Sequence, residues 1–222
     1  MRAPSSDASG CNTASYEFIF LDHGHGVPRD YAKAAESYQA AVALGNQLAQ
    51  NNLASLYQHG LGVPKNVGKA FDLYLAAAQQ GNPVAQCNLA SMYFAGSGIP
   101  RNFSEAARWF QAAAGLGDAA AQHNLAVMYS KGIGVAVDYN KALGFERLAA
   151  QQGYSRAESD LAYFYETGKG VPLDYVMAYA WYSRAIAGGD TVASNRRKSL
   201  ARLITPKQLR EANALVSQLS AH

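Results

Sequence analysis

The sequence predicts an all-α solenoid of tandem 36-residue helix–turn–helix repeats, finished by C-terminal capping helices. Three observations carry this prediction. Two glycines one residue apart recur every 36 residues, at Gly24/Gly26, Gly60/Gly62, Gly96/Gly98, Gly132/Gly134 and Gly168/Gly170. An Asn or Asp follows each pair at a constant offset, at Asp30, Asn66, Asn102, Asp138 and Asp174. Alanine recurs in whole columns, as in Ala54/Ala90/Ala126/Ala162 and Ala70/Ala106/Ala142/Ala178. A strict period in this range means one small unit copied in tandem, each copy burying its apolar face against the next.

The elements follow in chain order. Residues 1–14, rich in Ser, Ala, Asp and Gly, read as a disordered tail. Residues 15–45 read as a degenerate first repeat, because Glu17 and Phe18 stand where later copies place Leu53 and Ala54. Four regular repeats then occupy 46–81, 82–117, 118–153 and 154–189. In the first of these, Asn46 is an N-cap type, and Ala49, Leu53, Leu56 and Tyr57 make one apolar face of a helix over 47–59. Gly60-Leu61-Gly62-Val63-Pro64 stops that helix, since glycine accepts the left-handed turn and proline cannot continue. Asn66 caps the second helix, which runs to about Gln80 with Ala70, Leu73, Tyr74 and Ala77 on one face and ends at Gly81. Its counterparts end at Gly45, Gly117, Gly153 and Gly189.

Comparison between the copies separates scaffold from free positions. The alanine columns, with Ala49/Ala85/Ala121/Ala157 and Ala41/Ala77/Ala113/Ala149/Ala185, let helix axes approach to about 8–10 Å. Leu53/Leu89/Leu125/Leu161 and Tyr57/Tyr93/Tyr129/Tyr165 are expected to fill the core in layers. The pattern fails after Ala193, where Arg197 and Lys198 take the places of Leu161 and Ala162. Residues 191–222 therefore read as caps. Thr205-Pro206-Lys207-Gln208 is a capping box with a first-turn proline, followed by apolar Leu209, Ala212, Leu215, Val216 and Leu219.

The unit Ala-Gln-x-Asn-Leu-Ala-x-x-Tyr-x-x-Gly-x-Gly-Val-Pro-x-Asn/Asp-x-x-x-Ala, seen from Ala49 to Ala70 and nearly repeated from Ala85 to Ala106, resembles the Sel1-like repeat, a relative of the tetratricopeptide repeat. The resemblance implies a right-handed superhelix of helix pairs. It also implies a non-enzymatic adaptor or scaffold role, binding a protein or peptide, commonly in bacterial signalling, envelope or host-interaction settings and in eukaryotic protein quality control. By analogy with tetratricopeptide repeats, the partner would lie on a concave face lined by outward positions of each first helix. These are Asn51, Asn52, Ser55 and Gln58; Cys87, Asn88, Ser91 and Phe94; His123, Asn124, Val127 and Ser130; Ser159, Asp160, Tyr163 and Glu166. The column Asn52/Asn88/Asn124/Asp160 has two readings: amides that hydrogen-bond an extended peptide, or amides that tie neighbouring helices together, the second being favoured. Phe94 and Tyr163 are the candidate aromatic anchors.

Other chemistries find weaker support. Charged residues make up 16% of the chain and the net charge is +3, with no repeated basic stripe of a nucleic-acid footprint. The cluster Arg196, Arg197, Lys198, Arg202, Lys207 and Arg210 is more often a solvated surface than a docking site. Two cysteines, Cys11 and Cys87, support neither a disulfide scaffold nor a zinc site. Loop histidines His23, His25 and His59 lack a recurring ligand partner, and a Cys87–His123 thiol–imidazole pair lacks an orienting group. No catalytic residue, cofactor or metal is therefore expected. The alternative is a β-lactam-binding or β-lactamase-like enzyme from a cysteine-rich branch of the family, whose paired cysteines per repeat are missing here. No apolar run reaches the length of a membrane span and no signal segment is visible, so the expectation is a monomer, cytoplasmic as the chain stands, or periplasmic or secreted if an N-terminal segment is missing.

Overall fold

A computed structural model describes residues 30–219. The expected tail at 1–14, the degraded helix at Glu17 and Phe18, the Gly24/Gly26 loop, Cys11, His23 and His25 lie outside the described residues. Eleven helices are present among the described residues: α1 (Tyr31–Ala43), α2 (Gln47–His59), α3 (Val67–Gln79), α4 (Pro83–Ala95), α5 (Phe103–Gly115), α6 (Ala119–Lys131), α7 (Tyr139–Gln151), α8 (Ser155–Thr167), α9 (Tyr175–Ala187), α10 (Ala193–Leu200) and α11 (Pro206–Leu219). There is no strand among them, and none is long and apolar enough to cross a membrane. The chain divides into two compact units, Met1–Ala121 and Gln122–His222.

The helix boundaries follow from capping. Asp30, Asn66, Asn102, Asp138 and Asp174 each accept a backbone N–H from the first turn of the second helix in their repeat, at 2.9–3.1 Å. Asn46, Asn82 and Asp118 do the same for first helices. Each satisfies donors that the helix itself leaves free. The loop between the paired helices closes on itself, because the backbone N–H of Asn66 donates to the carbonyl of Tyr57, and Asn102, Asp138 and Asp174 repeat that bond.

Both glycines of the repeated pair are required, for different reasons. Gly60 ends α2 in the left-handed conformation at φ 71°, where its N–H still reaches Leu56. Gly98, at φ 74°, lies against Val67 of the preceding second helix, and a Cβ there would collide with Val67 Cγ1. The second glycine is thus where consecutive copies touch, which a side chain would prevent.

In the first unit α1 packs on α2, α2 on α3, α3 on α4 and α4 on α5. Its core holds Ala54, Ala70, Ala77, Ala85, Leu89, Ala90, Ala106, Phe110 and Ala113, all fully buried. The second unit packs α7 on α8, α8 on α9, and α9 on both α10 and α11, with Ala142, Ala149, Ala157, Leu161, Ala162, Ala178 and Ala185 buried. One expectation needs correction: Tyr57, Tyr93, Tyr129 and Tyr165 are half-buried rather than core-filling. Their rings lie against a neighbouring second helix, Tyr93 edge-on to Phe71 of the helix before it at 5.7 Å and Tyr129 stacked on Phe145 of the helix after it at 6.1 Å. A phenol at that border keeps its hydroxyl in reach of water or a partner, as Tyr165 does with Arg147 at 3.1 Å.

The capping helices are docked by charge as well as by apolar contact. Arg184 on α9 pairs with the buried Glu158 at 3.1 Å and donates to the Leu219 carbonyl of α11 at 2.6 Å. Thr205 and Gln208 form the expected capping box, Thr205 N–H donating to Gln208 Oε1 and Gln208 N–H to Thr205 Oγ1.

Candidate functional site

The sequence-predicted groove positions separate into two layers by depth. Asn51, Ser55, Cys87, Asn88 and His123 are buried. Asn52, Gln58, Ser91, Phe94, Asn124, Val127, Ser130, Ser159, Asp160, Tyr163 and Glu166 are half-buried. The difference follows from the helix: positions adjacent to the alanine columns turn inward, and those one residue or one turn farther round meet the border.

The buried layer of the first unit is built from neutral amides. Asn88 Nδ2 donates to Asn51 Oδ1 at 3.0 Å, and Asn51 Nδ2 donates to Asn52 Oδ1 at 3.1 Å. The bond runs from α4 to α2, so these amides tie first helices of successive copies together. Tyr74 on α3, fully buried, donates its hydroxyl to Gln58 at 3.0 Å. Ser91 Oγ is turned onto the Cys87 carbonyl at 3.0 Å, and Phe94 packs edge-on to Phe103 at 5.3 Å. Cys87 is fully buried and disulfide-bonded, so it offers no free thiol.

In the second unit the same depth is occupied by ionisable groups. His123 on α6 places Nδ1 3.1 and 3.2 Å from the two carboxylate oxygens of Glu146 on α7, and 3.9 Å from Asp160 Oδ2 on α8. The Glu146 side chain is 1% exposed and that of Asp160 is 47% exposed, so the cluster has a closed floor and an open side. Tyr154 lies beside the imidazole, ring centres 5.4 Å apart. Burial pushes the Glu146 carboxyl well above the usual carboxylate range, and the charge of Asp160 pushes it the same way. Desolvation likewise raises Asp160 and holds the His123 imidazole below its ordinary value. His123 and Glu146 resist ionisation because little water reaches them to solvate the charge.

Sequence reasoning named His123 and Asp160 as groove residues but missed Glu146. The signal was present in the column Tyr38/Tyr74/Phe110/Glu146/Tyr182, which is aromatic in every copy but one. A carboxylate in an otherwise aromatic core column is the departure that points to it.

At the border of the second unit, Tyr163 and Glu166 sit in a charged network. The Tyr182 hydroxyl donates to Glu166 Oε2 at 2.6 Å, and Arg196 reaches the same oxygen at 3.0 Å. Burial, then Glu166, hold the Tyr182 phenol far above its ordinary value. Arg196 and Lys169 flank the Tyr163 ring at 4.8 and 5.3 Å. Of the basic cluster, Arg196 is thus partly neutralised, and Lys207 pairs with Glu211 at 4.0 Å. His59 is exposed, its Nδ1 2.9 Å from the Ser55 carbonyl.

Comparison with known proteins places these observations. The family model described as the Sel1 repeat matches residues 15–46, 47–82, 83–118, 119–154 and 155–190. Among solved structures the chain is similar to a Sel1 repeat protein from Oxalobacter formigenes, at 30% identity and a TM-score of 0.77, covering 97% of this chain and 88% of that one. It is also similar to two immunity proteins from Pseudomonas aeruginosa. One is 26% identical with a TM-score of 0.57, the other 25% identical with 0.58, each likeness covering 100% of this chain and 84% of the other. No curated protein matches the chain significantly.

Proposed function

Since the chain belongs to the Sel1 repeat family, whose members generally mediate protein interactions, we propose that it is a non-catalytic adaptor that binds a protein or peptide through the border positions of its first helices. The observations that carry this reading are a half-buried ring in each unit, Phe94 with the polar Ser91 on the same helix in the first, and Tyr163 flanked by Lys169 and Arg196 in the second. Aromatic anchors surrounded by polar groups are the usual make-up of a protein-binding hot spot. Tyr163 carries cations on its ring, which favours a partner that brings acidic groups to that end.

The reading is tested by capturing partners from native cell extract on the wild-type chain and on a folded Phe94→Ala/Tyr163→Ala variant. The affinity of the captured partner for both is then measured with purified components. Loss of two anchors should weaken binding by about 2–4 kcal/mol, some thirty-fold or more. A partner bound equally by both chains would remove the border positions from the interface.

A further inference from the structure

We propose that His123, Glu146 and Asp160 form a binding site for one divalent transition-metal ion, with Zn2+ the ion that their donor set fits. This is independent of the adaptor reading. The three side chains come from three consecutive helices of the second unit, and one ligand atom from each lies within 4.8 Å of the others. Donors about 2.1 Å from a tetrahedral ion stand about 3.4 Å apart. The His123–Glu146 and His123–Asp160 separations, 3.1 and 3.9 Å, bracket that value, so small rotations suffice to close the set on an ion. One imidazole nitrogen with two carboxylates is a mixed N/O set of the kind that holds zinc with a position left for water. The half-exposed Asp160 supplies the open side and Glu146 the buried floor.

The cluster is also short of donors. Three carboxylate oxygens converge on one ring nitrogen, which carries at most one N–H. Among the described residues, His123 is the ion-pair partner of both acids. Lys131 and Arg196 act on Asp160 electrostatically and lower its affinity for a cation. Nor does the scaffold require these residues. Two periods earlier the same positions carry Asn51, Tyr74 and Asn88, a neutral set whose Asn88–Asn51 bond is satisfied. An acid buried where the repeat accepts an aromatic ring costs stability unless something neutralises it.

The test is isothermal titration of the full chain with ZnCl2 after chelator treatment, with MgCl2 as control, while the histidine resonances are followed by NMR. One Zn2+ per chain is expected, with a shift confined to the His123 ring. His123→Asn and Asp160→Asn, each restoring the residue type of the position two repeats earlier, should weaken binding at least about ten-fold. If His123→Asn does not fold, the half-exposed Asp160→Asn carries the comparison. Zinc held equally by the variants would place the ion elsewhere. The absence of a zinc-dependent heat and of a His123 shift would leave the cluster as a proton-sharing core group. Either result overturns the proposal.

Discussion

Asn51, Tyr74 and Asn88 in the first unit and His123, Glu146 and Asp160 in the second occupy equivalent positions two periods apart, yet they solve the same packing problem differently. In the first, amide bonds to amide at 3.0 Å and a fully buried ring fills the space behind. In the second, imidazole faces two carboxylates and the ring is replaced by a buried acid. The helices around them begin with the same kind of cap and turn at the same glycines, so backbone geometry does not force the change. The repeat sets where a side chain goes, and the second unit spends that placement on chemistry the first does without.

Transplanting the odd residue should have the largest effect. Tyr74→Glu puts a buried acid beside Gln58 with no imidazole, and should destabilise by about 3–5 kcal/mol in urea denaturation. A loss below about 1 kcal/mol would mean that the layer tolerates acids anywhere. The reverse exchange, His123→Asn/Glu146→Tyr/Asp160→Asn, should raise metal-free stability by about 1–4 kcal/mol, measured with chelator present. A less stable triple variant would show that the ionisable cluster is itself a structural bond.

Smaller changes refine the contrast. Asn88→Ala leaves Asn51 Oδ1 without its cross-helix donor and should cost about 1–3 kcal/mol. An unchanged denaturation midpoint would mean that the amide ladder holds nothing together. The equivalent caps Asn66 and Asp138 should differ only in their response to pH. Asn66→Ala should cost about 1 kcal/mol at any pH. Asp138 accepts the Lys141 backbone N–H, which lowers its carboxyl below the ordinary value. The stability that it contributes is present above the unfolded-state value and is lost as pH falls through the lowered folded one. Asp138→Ala melts recorded from neutral pH down to acid should therefore converge on wild type; a constant gap would rule out the ionised cap as the cause.

Much of the fold was legible because its signals are local. Capping oxygens, left-handed glycines and the alanine columns act within one turn or between equivalent residues, so a single period carries them. The candidate site was half legible. His123 and Asp160 stood at outward helix positions by analogy, but depth is decided by the neighbouring helices, and the analogy could not distinguish the buried Asn51 from the half-buried Asn52. Glu146 lay on a second helix, outside any groove argument, although the aromatic column it interrupts was readable.

By itself, the sequence determined the period, the helix ends and the close-packed seams, since each rests on backbone conformation or side-chain size at one position. Only the tertiary structure decided that His123, Glu146 and Asp160 meet. They come from three helices, 23 and 37 residues apart along the chain from His123, and their shared setting depends on how those helices exclude water from between them.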